Sequence, residues 1–263
     1  MLKLNDSGSD VTALQELLCK NGYDVAVSGE FDGDTDAAVR NFQRDHNLTV
    51  DGLVGNKTME RLMLIDNPLA ALSITEADYQ RAAAALNVPV AAIKAVKEVE
   101  TGGRSGFVAE GKPTILFEGH VFWSQLKKAG KSPEKHKAGN ADILYQKWTK
   151  AYYKSGLEEY TRLERAKKIH ESAALCSASW GLFQIMGFNY TVCKCQSVEE
   201  FVEKMCTNEG AQLDLFVLFL KGNGWDKYLR ALDWAGFARH YNGPAYADNQ
   251  YDVKLRKAYA KYK

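Results

Sequence analysis

The sequence predicts a mainly α protein made of two modules: a small three-helix unit, then a larger helical domain with at most a small β element. Three observations predict it. Residues 1–65 hold two copies of one glycine-turn-and-helix pattern. From residue 74 onward, apolar residues recur at helical spacing. Strand-like runs are scarce; Thr114-Ile115-Leu116-Phe117 is the best and Phe183-Gln184-Ile185-Met186 a weaker second.

Taken in order, Val11 to Leu18 has helical spacing, with Asp10 placed to cap it. Gly29-Glu30-Phe31-Asp32-Gly33-Asp34-Thr35 then recurs as Gly52-Leu53-Val54-Gly55-Asn56-Lys57-Thr58. Gly29, Phe31, Thr35 and Val39 thereby match Gly52, Val54, Thr58 and Leu62. Each copy reads as a glycine turn, a buried hydrophobe, a polar cap and a helix. Asp66-Asn67-Pro68-Leu69 interrupts the pattern as a short hinge, which sets a linker at 66–73 between domains 1–65 and 74–263.

In the second domain, Ser73-Ile74-Thr75-Glu76 offers a capping box for a helix through Tyr79, Ala83 and Leu86, ending near Asn87. Pro89 opens the next helix, where proline is tolerated. Helical periodicity continues over 141–153, 158–174, 198–206, 211–220, 225–232 and 247–262.

With 263 residues, 46% hydrophobic and 25% charged, both modules can build a core. A net charge of +1 argues against a dedicated nucleic-acid binder. The middle is nonetheless basic: Lys127, Lys128, Lys131, Lys135, His136, Lys137, Lys147, Lys150 and Lys154. Such a run is either a solvated face or a surface suited to an anionic polymer. Cysteine number is odd, and Cys193 and Cys195 are too close for an ordinary bridge. Cys19, Cys176 and Cys206 are expected to pack as small hydrophobes in a reducing compartment. No Cys/His spacing suits zinc, so neither a metal nor a cofactor is expected. The first residues lack the apolar core of a signal peptide, and the greasy run Leu213 to Leu220 is too short to span a bilayer. A cytosolic chain without stable membrane insertion is expected.

The chemistry centres on Glu100. At about 100° per residue, it falls between Ile93 and Val96, inside the apolar arc of the helix beginning at Pro89. Glu98 and Lys94 project to the opposite side. A carboxyl among aliphatic neighbours loses hydration, its pKa rises, and it can serve as a general acid. Thr101-Gly102-Gly103 then stops the helix, leaving Glu100 either at the lip of a cleft or frayed into water. Glu118 is a second carboxylate in apolar sequence, suited to a catalytic pair or to an ion pair with Arg104 or His120. Ser177 to Gly187 presents Trp180 and Gln184 in a Ser/Gly-framed turn, fit for stacking on and hydrogen bonding to a sugar, or for a core tryptophan. His240-Tyr241-Asn242-Gly243-Pro244 is a second polar, aromatic loop.

Two resemblances follow from these residues. Gly8, Val11, Leu14-Gln15, Leu18, Gly22-Tyr23, Gly29, Phe31-Asp32, Thr35, Ala38-Val39, Phe42-Gln43, Leu48, Asp51-Gly52, Val54-Gly55 and Thr58 resemble the peptidoglycan-binding domain family 1. That resemblance implies a three-helix module docking on bacterial cell wall, with Asp32, Asp51 and Asn56 as possible contacts or ordinary turn residues. Ala92-Ile93, Glu98-Val99-Glu100-Thr101, Gly106-Phe107, Pro113, Ile115 to Glu118, His120-Val121-Phe122, Ala178 to Asn189 and Arg239 to Gly243 resemble the N-acetylmuramidase domain of modular phage endolysins.

The second resemblance implies a lysozyme-like fold that cleaves the β-1,4 bond between N-acetylmuramic acid and N-acetylglucosamine, with Glu100 as general acid. Trp180, Gln184, Tyr241 and Asn242 would bind substrate. The implied partner is peptidoglycan, met by a monomer that stays in the host bacterial cytoplasm until a holin gives it access to the wall. One departure stands out: no Asp or Glu closely follows Glu100 as nucleophile, and Glu110 sits in a polar turn. Glu118 is the candidate second group, and Thr101 could either place a water or satisfy a carbonyl. A lytic transglycosylase and a non-catalytic wall-binding protein are the alternatives.

Overall fold

A computed structural model describes residues 1–66 and 68–263, and the chain divides into two compact units, Met1–Ala71 and Leu72–Lys263. Asn67, in the middle of the expected hinge, lies outside the described residues. The first unit holds α1 (Ser9–Lys20), α2 (Gly33–Asp45) and α3 (Asn56–Asp66).

The sequence repeat has a structural cause, a buried glutamine in each of two helices. Gln15 of α1 accepts from Gly29 N at 2.8 Å and donates to the Glu30 carbonyl at 2.9 Å and Thr35 Oγ1 at 3.0 Å. Gln43 of α2 accepts from Gly52 N at 2.9 Å and donates to the Leu53 carbonyl at 3.0 Å and Thr58 Oγ1 at 3.3 Å. Each amide thus satisfies the glycine N–H of one turn, which would otherwise be orphaned on burial, and adds a donor to the carbonyl that follows it. Gly29 and Gly52 sit at φ of +76° and +71°, a region that favours glycine. Phe31 and Val54 follow them into the core with Val39, Leu62, Leu14 and Phe42. The N-terminal segment crosses both turns, Leu2 pairing with Val54 and Ser7 with Glu30. Asp32 caps α2 by accepting from Thr35 N at 2.8 Å. Asp10 caps nothing: Gly8 takes the cap position of α1, and Asp10 sits within the first turn.

The second unit contains α4 (Glu76–Leu86), α5 (Val90–Thr101), β1 (Phe107–Ala109), β2 (Lys112–Pro113), β3 (Ile115–Phe117), α6 (Gly119–Lys128), α7 (Leu157–Lys167) and α8 (Glu171–Cys176). It continues with β4 (Ala178–Trp180), β5 (Ile185–Met186), α9 (Val198–Met205), α10 (Glu209–Gly222), α11 (Asp226–Arg230), α12 (Trp234–Tyr241) and α13 (Tyr251–Tyr262). β1 and β2 form a hairpin; β3, β4 and β5 form an antiparallel sheet with Ile115 opposite Trp180 and Trp180 opposite Ile185. α5 buries Ala92, Ile93, Ala95 and Val96 and packs against α4 and α13. Glu98, on its outer side, is held by Lys261 and Tyr262 of α13.

Several boundaries differ from expectation, each for a local reason. The capping box of α4 is Thr75 with Asp78, because these side chains reach each other's backbone N–H; Ser73 and Glu76 do not form it. The helix expected over 141–153 is absent. Arg162 captures the Asp142 carbonyl at 2.7 Å, and Arg165 pairs with the Asp142 carboxylate at 2.6 Å, so this stretch is fastened by side chains. The run 158–174 breaks into α7 and α8 because the His170 ring caps α8 at Ala173 N. The second strand is only Ile185–Met186, since Phe183 and Gln184 complete a turn. Among the thiols, Cys19 is exposed and Cys206 half-buried, whereas Cys176, Cys193 and Cys195 are buried. Among the described residues, no helix is long and apolar enough to cross a membrane.

Candidate active site

The last turn of α5, the turn after β4, α10, the start of α11 and the end of α12 enclose a cavity of about 300 Å³. Glu100, Phe183, Gln184, Phe219, Trp225 and Tyr241 are among its lining residues. Glu100 Oε2 accepts from Asn242 Nδ2 at 3.0 Å, while Oε1 is buried with no partner. Burial pushes the Glu100 carboxyl up from 4.5 to about 7, against the pull of the Asn242 hydrogen bond. The acid form is therefore abundant near neutrality.

The surrounding wall is rigidly made. Tyr241 donates to the Phe183 carbonyl at 2.9 Å, stacks on Phe237 and meets Phe216 edge-on. Burial, reinforced by the neighbouring Glu100 carboxylate, pushes its phenol well above the usual range. Tyr241 is thus a neutral donor, not a second acid. Gln184 adopts a left-handed φ of 49°. Its amide donates to the carbonyls of Gly181 at 2.8 Å and Thr114 at 3.2 Å and accepts from Ser179 Oγ at 2.8 Å. Both its N–H groups are thereby used to hold the turn.

A protonated glutamic acid at the mouth of an aromatic-lined polar cleft is the equipment of glycosidic cleavage. The N-acetylmuramidase family matches residues 89–263, which include all of α5 and everything after it. This chain belongs to the N-acetylmuramidase family. It is accordingly a glycoside hydrolase of the lysozyme type that acts on peptidoglycan. A peptidoglycan binding domain family matches residues 7–62. Among solved structures, the crystal structure of Burkholderia AP3 phage endolysin is similar at 39% identity, over 99% of this chain and 98% of that one, with a TM-score of 0.70. No curated protein sequence matches the chain.

The muramidase brings Glu100, Gln184, Tyr241 and Asn242 together and leaves three expected site residues elsewhere. Trp180 is 2% exposed and its indole donates to the Leu175 carbonyl at 3.1 Å. It is a core side chain behind the turn, with no face for a sugar. Thr101 is buried and its hydroxyl accepts from Gly103 N at 3.1 Å, completing the helix end. Glu118 occupies the position before α6, without a side-chain cap hydrogen bond, and does not line the cavity. It lies four residues along the chain from Thr114, about 13 Å at strand rise, and Thr114 is the residue whose carbonyl meets Gln184. Glu118 accepts from Tyr153 at 2.6 Å, and its Oε2 sits 3.2 Å from His120 Nδ1 without a hydrogen bond between them. Sequence reading missed Trp225 and Phe219, which close the cavity opposite the turn. Trp225 follows Gly222-Asn223-Gly224, a polar break in which a lone aromatic was the available signal. Among the described residues, no group of His, Cys, Asp and Glu could hold a metal ion.

Proposed function

We propose that this chain is an endolysin in which Glu100 is the general acid that cleaves the N-acetylmuramic acid to N-acetylglucosamine linkage. The observation that carries the reading is Glu100 in the lining of a polar and aromatic cavity, its carboxyl raised by burial and its Oε1 without a partner. Protonated Glu100 donates to the leaving oxygen as the glycosidic bond breaks. The carboxylate it becomes is then placed to accept a proton from the water that attacks the sugar cation. Asn242 orients the carboxyl, and Tyr241 and Gln184 hold the turn that shapes the sugar pocket. Trp180 and Thr101 support this arrangement from behind, and Glu118 acts outside the cavity.

Residues 1–65 serve as the wall-binding module, 66–73 as linker and 74–263 as catalytic domain. The protein works as a monomer, accumulates in the host cytoplasm and reaches the wall when a holin opens the membrane. Neither nucleic acid nor a cofactor enters the reaction.

The test is digestion of purified peptidoglycan by wild type and Glu100→Gln. Wild type should release fragments with free muramic acid reducing ends. Products dominated by 1,6-anhydro ends would replace hydrolysis with transglycosylation. The substituted protein should release nothing yet still sediment with the wall; undiminished release would remove Glu100 from the acid role.

A further inference from the structure

Beyond the cavity, residues 137–156 form a long connection without helix or strand, and such segments in compact domains usually have a function of their own. This one is firmly built. The buried Glu159–Arg162 pair, 2.8 Å apart, fixes both its ends: Glu159 accepts from Lys154 N at 2.6 Å, and Arg162 donates to the Asp142 carbonyl. Tyr145 accepts from Gly119 N at 3.2 Å.

What the connection displays is Trp148, 58% exposed. An exposed indole is usually free to swing, but this one is aimed. Its Nε1 donates to the Tyr153 hydroxyl at 3.1 Å, and Tyr153 donates in turn to Glu118 Oε1 at 2.6 Å. Lys150 Nζ stands 5.7 Å from the ring centroid, and Lys147 and Lys154 are exposed nearby in sequence. The sole acid of the segment, Asp142, is engaged by Arg165. The display is therefore a fixed indole with a lysine ammonium over one of its two faces.

We propose that Trp148, with Lys147 and Lys150, is a second, non-catalytic docking platform for the peptidoglycan strand whose cleavage Glu100 carries out. The indole face offers an apolar plate to the C–H face of a sugar, and the lysines meet the carboxylates of the stem peptides. The platform lies past the Glu118 end of β3, while the Glu100 cavity adjoins the Thr114 end. With the length of β3 between them, the expected reader of both is a polymer and not a disaccharide seated at Glu100. The buried Glu118, unused by the proposed reaction, thereby has a role as the anchor of the relay that aims Trp148.

This inference rests on the muramidase reading, and chain length separates the two. Full-length wild type, Trp148→Ala, Trp148→Phe and the double variant Lys147→Ala/Lys150→Ala are assayed on insoluble sacculi and on a short soluble muropeptide oligosaccharide. For Trp148→Ala the half-saturating amount of sacculi should rise at least about fivefold, the effect of losing one anchoring aromatic. Trp148→Phe should lose less, and turnover of the oligosaccharide should stay at the wild-type value in all variants. Equal losses on both substrates, or none on sacculi, overturn the platform. Failure of wild type on both substrates overturns the muramidase reading instead. The surface lysine pair carries the same test if Trp148→Ala does not fold. Sedimentation with phosphatidylglycerol vesicles is the control; loss of vesicle binding with sacculus binding intact would assign the surface to lipid and overturn the proposal.

Discussion

Asn242 donates to one oxygen of Glu100 at 3.0 Å and leaves the other buried without a partner. Glu118 shares this pattern, bonded by Tyr153 at one oxygen and unpartnered at the other, whereas the fully buried carboxylates of this domain are treated differently. Glu159 is met by Arg162 and two backbone N–H groups, and Glu209 accepts from Gly106 N and Ser105 Oγ. Burying a carboxyl with its hydrogen bonds unfilled costs stability, and folds accept that cost where chemistry needs the group. At Glu100 it is burial that raises the proton affinity of the carboxyl, against the pull of Asn242.

Activity should follow the protonated fraction of Glu100. With the carboxyl raised to about 7, turnover on a soluble oligosaccharide should fall tenfold for each pH unit on the alkaline side. A pH–rate profile of kcat/KM checks this; an alkaline limb near the ordinary glutamate value would contradict it.

The same shift carries a stability consequence with a definite sign. Between 4.5 and about 7 the folded chain holds a proton on Glu100 that the unfolded chain has lost. Stability from this group therefore falls as pH rises through that window and is constant above it. Glu100→Gln removes the dependence and should stabilise the catalytic domain at pH 8 by on the order of 3 kcal/mol. Denaturant titrations of both proteins at pH 5 and pH 8 measure the difference, and equal midpoints at pH 8 would count against it.

Replacing Asn242 with Leu removes the interaction that lowers the Glu100 pKa and leaves burial unopposed. The alkaline limb should move to higher pH, by up to about one unit, while maximal turnover drops because the carboxyl loses its orientation. A profile that loses height without moving would make Asn242 an orienting group only.

Much of this was readable in advance, for physical reasons that differ by residue. The place of Glu100 in the apolar arc of α5 followed from helical periodicity, which depends on neighbours within one turn. The glycine turns at Gly29 and Gly52 were equally local. Trp180 and Glu118 were not legible, because a tryptophan between serine and glycine looks alike whether it faces a sugar or the Leu175 carbonyl. Trp180 is fixed by the fold of the short chain between it and Leu175 of α8, and Glu118 by Tyr153, far away in sequence in a connection whose spacing suggests a helix. The connection has the sequence look of a helix because Leu144, Trp148, Ala151 and Tyr152 recur at helical spacing, while the arginines that fasten it lie in α7.

In the first unit, Gln43 should be worth more than its size suggests. Gln43→Leu fits an apolar side chain but orphans the buried N–H of Gly52, while Asp51 N–H keeps the Thr49 carbonyl and the Leu53 carbonyl keeps the Thr58 hydroxyl. The cost should be about 2 kcal/mol. Hydrogen exchange on the full chain should show protection lost in residues 1–65 with the catalytic domain unaffected. Uniform protection would mean the turn finds other partners.

The Glu159–Arg162 pair offers the sharpest test of how the catalytic domain is held. Both side chains are almost fully buried, and Arg162 also donates to the Phe117 and Asp142 carbonyls. Arg162→Met leaves Glu159 as a buried charge facing only backbone donors, a change that typically costs about 3–5 kcal/mol. Arg162→Met combined with Glu159→Gln should recover part of that loss, since the stranded charge is gone. Thermal unfolding of the two variants measures the recovery. A double variant as unstable as the single one would assign the loss to the severed carbonyl contacts of Phe117 and Asp142 rather than to the charge.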